Sequence, residues 1–183
     1  GSILDVGSGR GLFLSKLGET WRMVGIEPSE AFVKISRNMV PSALILHTSL
    51  SESVLPELHF DIVTIISTIH FLNQPVQDLK KVIRSLNPEG FLIIEAQNFA
   101  NRGWIYRWKK QGFAKQWGTI FFSPWALEWL LNQVGMAVIE RINLPCVRAQ
   151  SLSILWAVAG WFEYFATIAL KGISRGRFDF VPR

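Results

Sequence analysis

The chain has 183 residues, of which 49% are hydrophobic and 18% are charged, and its formal net charge is +5. This length fits one domain with a sizeable core, and the apolar composition excludes an intrinsically disordered chain. The lone Cys146 excludes an internal disulfide and fits a reducing compartment, so we expect a cytoplasmic protein. Cysteine and histidine are too sparse for a zinc site, and we therefore predict no metal.

The first predicted element is a short buried strand that runs into a glycine-rich turn. Its residues 2–6 contain only Asp5 as a charge, and Gly7, Gly9 and Gly11 follow at alternate positions. Glycine lets the backbone take unusual dihedrals and lets a ligand approach closely. The pattern is typical of a nucleotide-binding turn in an α/β sheet. A helix is predicted to follow, with its amino end at the turn, from the spacing of Leu12, Phe13, Leu14 and Leu17.

The second predicted strand, residues 22–27, ends in an acid. Glu27 lies twenty positions after Gly7, close to the spacing expected of a ribose-binding acid. A carboxylate suits two adjacent ribose hydroxyls because its two oxygens accept at once. The dinucleotide fingerprint, however, has a glycine at its sixth position, where this chain has Leu12. A nicotinamide-dependent oxidoreductase is therefore disfavoured, although it stays open as an alternative.

The segment Asp5-Val6-Gly7-Ser8-Gly9-Arg10-Gly11 resembles the first motif of class I S-adenosylmethionine-dependent methyltransferases, and Glu27 matches the acid of their second motif. The resemblance is to the branch that includes quinone-biosynthesis, sugar and lipid methyltransferases. It implies an α/β, Rossmann-like fold with a doubly wound, mostly parallel sheet and helices on both faces. It also implies that S-adenosylmethionine is the cofactor. Such enzymes usually carry helices ahead of this strand, so we expect the chain to be N-terminally truncated.

The resemblance implies a cofactor site at the carboxyl ends of the first strands. Asp5 and the glycines would hold the methionine part, and Glu27 would bind the ribose. The adenine contact falls on residues 47–52, where many relatives have an acid and this chain offers Ser49 and Glu52. The predicted cofactor-binding residues are Asp5, Gly7, Ser8, Gly9, Gly11, Glu27, Pro28, Ser49, Leu50 and Ser67.

Strands and helices alternate through the middle of the chain, which predicts a parallel sheet. The most strand-like stretch is Phe60–Ser67, which is β-branched and almost entirely apolar after Asp61. A turn at Pro88–Gly90 resembles a recurrent turn of the family. The other predicted elements are a helix over Ser29–Met39 with Ser29 as its N-cap, a strand over Ala43–Leu46, a helix over Pro75–Leu86 and a fifth strand that ends near Glu95.

His70 follows the fourth strand and is the predicted catalytic residue. A neutral imidazole there is able to take the proton of an acceptor hydroxyl or amine as a general base. The alternative is a packed or helix-capping histidine. Methyl transfer from a sulfonium depends mainly on the in-line orientation of acceptor and methyl group, so such a site also works without a base.

The composition shifts beyond the fifth strand. Residues 96–127 contain no Asp or Glu, and basic residues are interleaved with aromatic ones. Such a segment suits single-stranded nucleic acid, a membrane interface or a substrate lid, and a plain solvated helix is the remaining alternative. The resemblance favours a lid-like insertion over residues 96–125, and we do not expect nucleic acid to be the partner.

The last predicted elements are a helix that Ser123 caps, a sixth strand over Met136–Ile142 and an apolar C-terminal segment. Ser151–Lys171 predicts a hydrophobic C-terminal helix, because Glu163 is the only charge before its last residue. We expect this helix to lie on a membrane surface, to pack on the sheet or to contact a partner. A bilayer span is disfavoured because an acid near its centre is costly. Arg177–Val181 is a candidate for a last, antiparallel edge strand.

The predicted organisation is a methyltransferase domain over residues 1–145 and a hydrophobic helix with a basic tail over residues 146–183. We expect methyl transfer to a small-molecule, lipid-linked or glycan acceptor, with peripheral membrane contact left open. The other interpretation is a non-catalytic methyltransferase-like protein that docks to a membrane or a partner. The sequence predicts no oligomeric state.

Overall fold

The computed structural model describes residues 1–98, 120–145 and 163–171. Within these ranges, one seven-stranded sheet is packed with three α-helices. The strands are β1 (Ser2–Val6), β2 (Arg22–Glu27), β3 (Leu44–His47), β4 (Phe60–Ile66), β5 (Leu86–Gln97), β6 (Met136–Pro145) and β7 (Glu163–Lys171). The helices are α1 (Glu30–Met39), α2 (Pro75–Ser85) and α3 (Pro124–Gln133).

The strand order of the sheet is β3-β2-β1-β4-β5-β7-β6. The strands from β3 to β5 in this order are parallel, and β7 runs antiparallel to both of its neighbours. The chain moves outward from β1 through β2 to β3, and then returns to β4 on the other side of β1. This is the Rossmann-like, doubly wound arrangement that the sequence predicts. It puts a topological switch point, where ligands bind in such sheets, between β1 and β4.

Apolar side chains alternate between the two faces of the sheet, because successive residues of a strand point in opposite directions. Leu4 of β1 belongs to the larger core cluster, which includes residues of α2 and α3. Its neighbour Ile3 belongs to a smaller cluster, which includes Val33 of α1. All three side chains are almost completely buried. Helices therefore cover both faces of the sheet, as the sequence predicts.

Two helices begin at the caps that the sequence predicts. The Ser29 hydroxyl accepts a hydrogen bond from the backbone N–H of Phe32 at the start of α1. The Ser123 hydroxyl accepts one from the backbone N–H of Ala126 at the start of α3, and Pro124 occupies the first turn. Because each cap satisfies an N–H that lacks a partner within its own helix, both starts are fixed by local chemistry.

The predicted C-terminal helix is wrong over Glu163–Lys171, which forms β7 between β5 and β6. The antiparallel edge strand predicted for Arg177–Val181 lies outside the described residues. Among the described strands, β7 is antiparallel to both of its neighbours and β6 lies at the edge of the sheet. A buried strand and a buried helix both appear in a sequence as a continuous apolar run, so hydrophobic periodicity does not separate them. Residues 146–162 and 172–183 lie outside the described part of the chain, as does most of the predicted lid.

Three smaller predictions need correction. The segment after the glycine turn forms only a short 3-10 turn, Leu14–Lys16. Gly11 and Gly18 leave too few residues between them for the elongation that offsets the cost of the first helical turn. β5 already begins at Leu86, and the predicted turn Pro88–Gly90 belongs to it beside a register shift in β4, an irregularity at which proline is tolerated. β6 continues to Pro145.

Among the described residues, no helix has the length and apolar character that crossing a bilayer requires.

Candidate functional site

The glycine turn lies at the carboxyl end of β1, beside the switch point of the sheet. Gly7, Gly9 and Gly11 have φ angles of 73°, 55° and 79°, which side chains rarely adopt. A Cβ on Gly7 would lie 2.3 Å from the Thr68 hydroxyl oxygen, and one on Gly11 would lie 2.5 Å from that of Ser36. Among the described residues, a Cβ on Gly9 would meet nothing closer than a backbone oxygen at 4.0 Å. Within this part of the chain, the turn is therefore packed on two sides and open above Gly9.

Backbone hydrogen bonds hold this turn against β2. The N–H groups of Gly7 and Ser8 both donate to the carbonyl oxygen of Ile26, at 2.8 and 3.0 Å. Gly25 of β2 leaves room for Ser8, because a Cβ there would lie 2.7 Å from the Ser8 hydroxyl oxygen. The Gly11 N–H donates to the Ser8 carbonyl oxygen and closes the turn. The first two strands thus shape the turn together.

Glu27 joins the glycine turn to the start of α1. Its side chain is 6% exposed; Oε2 accepts from the Gly9 N–H at 2.9 Å, and Oε1 accepts from the Ser29 N–H at 2.8 Å. A carboxylate oxygen is able to accept more than one hydrogen bond, so both oxygens keep acceptor capacity. The predicted ribose-binding acid therefore lies against the turn, in a fixed position.

Asp5 is the second buried acid of the site, with 2% of its surface exposed. Its Oδ1 accepts a hydrogen bond from the Thr64 hydroxyl of β4 at 2.7 Å. Burial raises the pKa of Asp5 to about 6; the bond from Thr64 opposes this rise, and the charge of Glu27 adds to it. Asp5 is consequently a carboxyl group that a nearby cation would hold in its ionised form.

The residues predicted for the adenine contact, and Pro28 from the wider cofactor-binding set, do not share one environment. The Ser49 hydroxyl donates to Glu52 Oε2 at 2.7 Å on an exposed segment after β3. Leu50 is 4% exposed and belongs to the larger core cluster, and its carbonyl oxygen accepts from Lys81 Nζ. Pro28 is exposed after β2. Leu50 therefore anchors the segment after β3 in the core, Ser49 is half-buried on that segment, and Pro28 is exposed at the end of β2.

Ser67 and His70 follow β4, at the other side of the switch point. Ser67 is exposed and has a φ angle of 51°, and its hydroxyl donates to Glu95 Oε2 at 2.6 Å. His70 lies in a 3-10 turn, Ile69–Phe71, and only 4% of it is exposed. Burial lowers the pKa of His70, so its imidazole stays neutral near pH 7, as a general base requires.

A family model described as a methyltransferase domain matches residues 1–141. The chain belongs to this family. It is an S-adenosylmethionine-dependent methyltransferase with a Rossmann-like fold, and the oxidoreductase alternative finds no support. A comparison with curated protein sequences gives no significant match.

Solved methyltransferase structures share the fold. The Haloferax volcanii methyltransferase in complex with its activator Trm112 is 15% identical, with a TM-score of 0.78 over 96% of this chain and 84% of that one. An S-adenosylmethionine-dependent methyltransferase from Thermotoga maritima is 22% identical, with a TM-score of 0.73 over 94% and 82%. One from Aquifex aeolicus is 21% identical, with a TM-score of 0.67 over 93% and 82%. At such identities the likeness establishes the fold.

The sequence analysis missed two polar residues that the structure brings to the site. Thr64 lies near the carboxyl end of β4, where the other residues after Asp61 are apolar, and its hydroxyl donates a hydrogen bond to Asp5. Glu95 lies two residues before the end of β5, much as Glu27 lies at the end of β2, and its carboxylate accepts a hydrogen bond from the Ser67 hydroxyl. A polar residue near the carboxyl end of a buried parallel strand is the signal that would have found both.

Proposed function

We propose that the chain binds S-adenosylmethionine across the carboxyl ends of β1, β2 and β4 and methylates a small-molecule, lipid-linked or glycan acceptor. The turn from Gly7 to Gly11 would cradle the methionine part, with Asp5 as the partner of its ammonium group. Glu27 would bind the ribose hydroxyls. The main support is the position of Glu27, whose two oxygens hold both the Gly9 N–H and the Ser29 N–H.

The residues present suit this cofactor. None of the described residues covers the side of the turn above Gly9, so a ligand is able to lie directly on the backbone there. Both buried acids, Asp5 and Glu27, face a ligand whose methionine part carries an ammonium and whose ribose carries two hydroxyl donors. Pro28, Ser49 and the backbone at Leu50 would line the adenine, and Ser67 and Ser8 would complete the set.

The cofactor supplies an electrophilic methyl group, and the protein contributes binding, orientation and exclusion of water. His70 keeps its proposed role as a general base toward the acceptor, because burial favours its neutral form. His70 lies in the Ile69–Phe71 turn, shortly after the carboxyl end of β4. The His70 carbonyl oxygen accepts a hydrogen bond from the Ile120 N–H at 3.2 Å. This contact connects the turn to the segment that precedes α3.

The test is a calorimetric titration of the chain with S-adenosylhomocysteine, with Glu27→Gln and Glu27→Ala as variants. We expect the wild type to bind and the Ala variant to lose about 1.5 to 3 kcal/mol, the usual worth of hydrogen bonds to a charged group. The control is Glu30→Ala, which removes an exposed acid of the same helix start that pairs only with Lys34 among the described residues. Thermal unfolding of each variant separates lost binding from lost folding. Unchanged binding by both Glu27 variants would refute the assignment.

A further inference from the structure

Ser67 and Glu95 form a polar pair at the carboxyl ends of β4 and β5. The Ser67 hydroxyl donates to Glu95 Oε2 at 2.6 Å, and the Ser67 N–H donates to the Glu95 carbonyl oxygen at 3.0 Å. Ile66 and Glu95 are the last paired residues of the two parallel strands, so the Ser67–Glu95 contact lies at the end of this ladder. Ser67 is thus bound to Glu95 through both its backbone and its side chain.

The backbone of Ser67 is strained. Its φ of 51° lies in the left-handed region, which is unfavourable for a residue with a Cβ. Such conformations persist where the surrounding structure holds them, and they cluster at functional sites. The two hydrogen bonds to Glu95 supply the restraint here. The strained residue is exposed, directly follows β4 and borders the switch point.

The other carboxylate oxygen of Glu95 has no donor. Oε1 is buried and makes no hydrogen bond within the part of the chain that the structure describes. A buried acceptor without a partner is destabilising, and more so when it belongs to a charged group. Hydrogen bonds of charged groups are about twice as strong as neutral ones. A cationic N–H donor from a ligand would therefore be the strongest partner for Oε1.

Glu95 lies on the same face of the sheet as the cofactor site. Leu92, Ile94 and Ala96 of β5 belong to the larger core cluster, as do the residues on either side of Asp5 in β1, so Glu95 and Asp5 both point to the opposite face. Strand register places Glu95 two strands from Asp5 and two residues nearer the carboxyl edge. Ordinary strand spacing puts the two Cα atoms about 12 Å apart.

We propose that Glu95 is the acceptor-binding carboxylate of this methyltransferase, and that its Oε1 accepts an N–H of a neutral amine beside the transferable methyl group. The amine lone pair would form the new N–C bond as the S–C bond breaks and S-adenosylhomocysteine leaves. The ammonium formed in this way would be the cationic donor to Oε1 until it loses its proton to water. The substrate class is then an amine, and Ser67 is a positioning residue that fixes the carboxylate through Oε2. The inference rests on the proposed function, because it requires the cofactor to lie at the glycine turn. The proposal places the acceptor at the ends of β4 and β5, next to the cofactor contacts proposed for β1 and β2.

Sinefungin provides the test, because it is a cofactor analogue that carries an amine where S-adenosylmethionine carries the methyl group. Calorimetry would compare sinefungin, S-adenosylmethionine and S-adenosylhomocysteine as ligands of the wild type and of Glu95→Gln. We expect this variant to bind sinefungin at least ten times more weakly and to bind the other two ligands within about threefold of the wild type. Gln keeps an oxygen for the Ser67 hydroxyl, and thermal unfolding checks that the fold is intact.

The control is Glu89→Gln, which makes the same charge change on an exposed residue of β5, about 20 Å away toward the other end of the strand. It should leave all three affinities unchanged. Sinefungin binding that Glu95→Gln does not weaken would overturn the inference. Equal weakening of sinefungin and S-adenosylmethionine would also overturn it, since it would indicate attraction to any cation. If the wild type binds none of the three ligands, the proposed function itself fails and the inference fails with it.

Discussion

The Glu27 carboxylate accepts a hydrogen bond from the Gly9 N–H at 2.9 Å, and this contact joins the end of β2 to the turn after β1. This contact holds the turn that would cradle the methionine part. It also fixes the position of the Glu27 carboxylate, which is the proposed ribose-binding group. The second Glu27 oxygen holds the Ser29 N–H at the start of α1. The three elements around the proposed cofactor are thus organised by one buried acid.

Alanine at the glycines is expected to separate folding from binding. Both Gly7→Ala and Gly9→Ala impose a left-handed backbone on alanine, at about 1 to 2 kcal/mol. Gly7→Ala also overlaps Thr68 and should destabilise the fold further, whereas Gly9→Ala meets no such neighbour in the part of the chain that the structure describes. Gly9→Ala should fold and yet bind S-adenosylhomocysteine at least tenfold more weakly, because its Cβ fills the open side. Thermal unfolding and calorimetry measure the two effects, and wild-type affinity in Gly9→Ala would argue against a ligand there.

Asp5 is expected to make stability depend on pH. Its folded pKa of about 6 exceeds the unfolded value of about 3.9, so the folded chain holds this proton more tightly. The stabilising contribution of protonated Asp5 is therefore present at pH 4 and is lost as the pH rises to about 6. The free energy of unfolding falls by about 3 kcal/mol at most over this range. Asp5→Asn should be more stable than the wild type at pH 7 and nearly equal to it at pH 4. Urea unfolding at the two pH values decides the point; a variant less stable at pH 7 would contradict it.

The same carboxyl should make binding depend on pH. If Asp5 pairs with the ammonium of the cofactor, it must be ionised in the complex, so binding releases a proton near pH 6. Wild-type affinity for S-adenosylhomocysteine should rise between pH 5 and pH 7, and the affinity of Asp5→Asn should stay level. Calorimetry in buffers of different ionisation enthalpy also counts the protons released. Absence of proton release by the wild type at pH 6 would place the ammonium elsewhere.

Lys81 of α2 is expected to support the adenine side of the site. Its Nζ donates to the carbonyl oxygens of Leu50, Ser51 and Ser53, at 2.8, 2.7 and 2.9 Å. Lys81→Met keeps most of the side-chain volume but leaves these carbonyls without their donor, so cofactor affinity should fall by about three- to tenfold, or about 1 kcal/mol. Lys80→Met is the matched control, because Lys80 is its exposed neighbour. Equal effects of the two variants would show that only the charge matters.

Ser67 offers a test of backbone strain. Ser67→Ala and Ser67→Gly both remove the hydroxyl that binds Glu95, but only glycine adopts a φ of 51° without penalty. We therefore expect the glycine variant to be more stable than the alanine variant by about 1 kcal/mol. Denaturant unfolding measures the difference. An alanine variant as stable as the glycine variant would mean that this backbone relaxes when the hydroxyl is lost.

The sequence predicts the parts of the site that depend on local chemistry. The glycine turn, the acid at the end of β2 and the Ser29 cap each follow from a short local pattern. The structure has a turn at the three glycines, Glu27 at the end of β2 and a cap at Ser29. The helix prediction fails at β7 because an apolar run carries no signal of the strand with which it will pair. The partners Asp5–Thr64 and Ser67–Glu95 are 59 and 28 residues apart in the chain, and only the strand order brings them together.

The most direct test of the account is a crystal structure of the chain with S-adenosylhomocysteine. We predict both ribose hydroxyls within hydrogen-bond distance of the Glu27 carboxylate, with the homocysteine part on the turn from Gly7 to Gly11 and its ammonium beside Asp5. A ribose that does not touch Glu27, or a ligand bound away from this turn, would contradict the account.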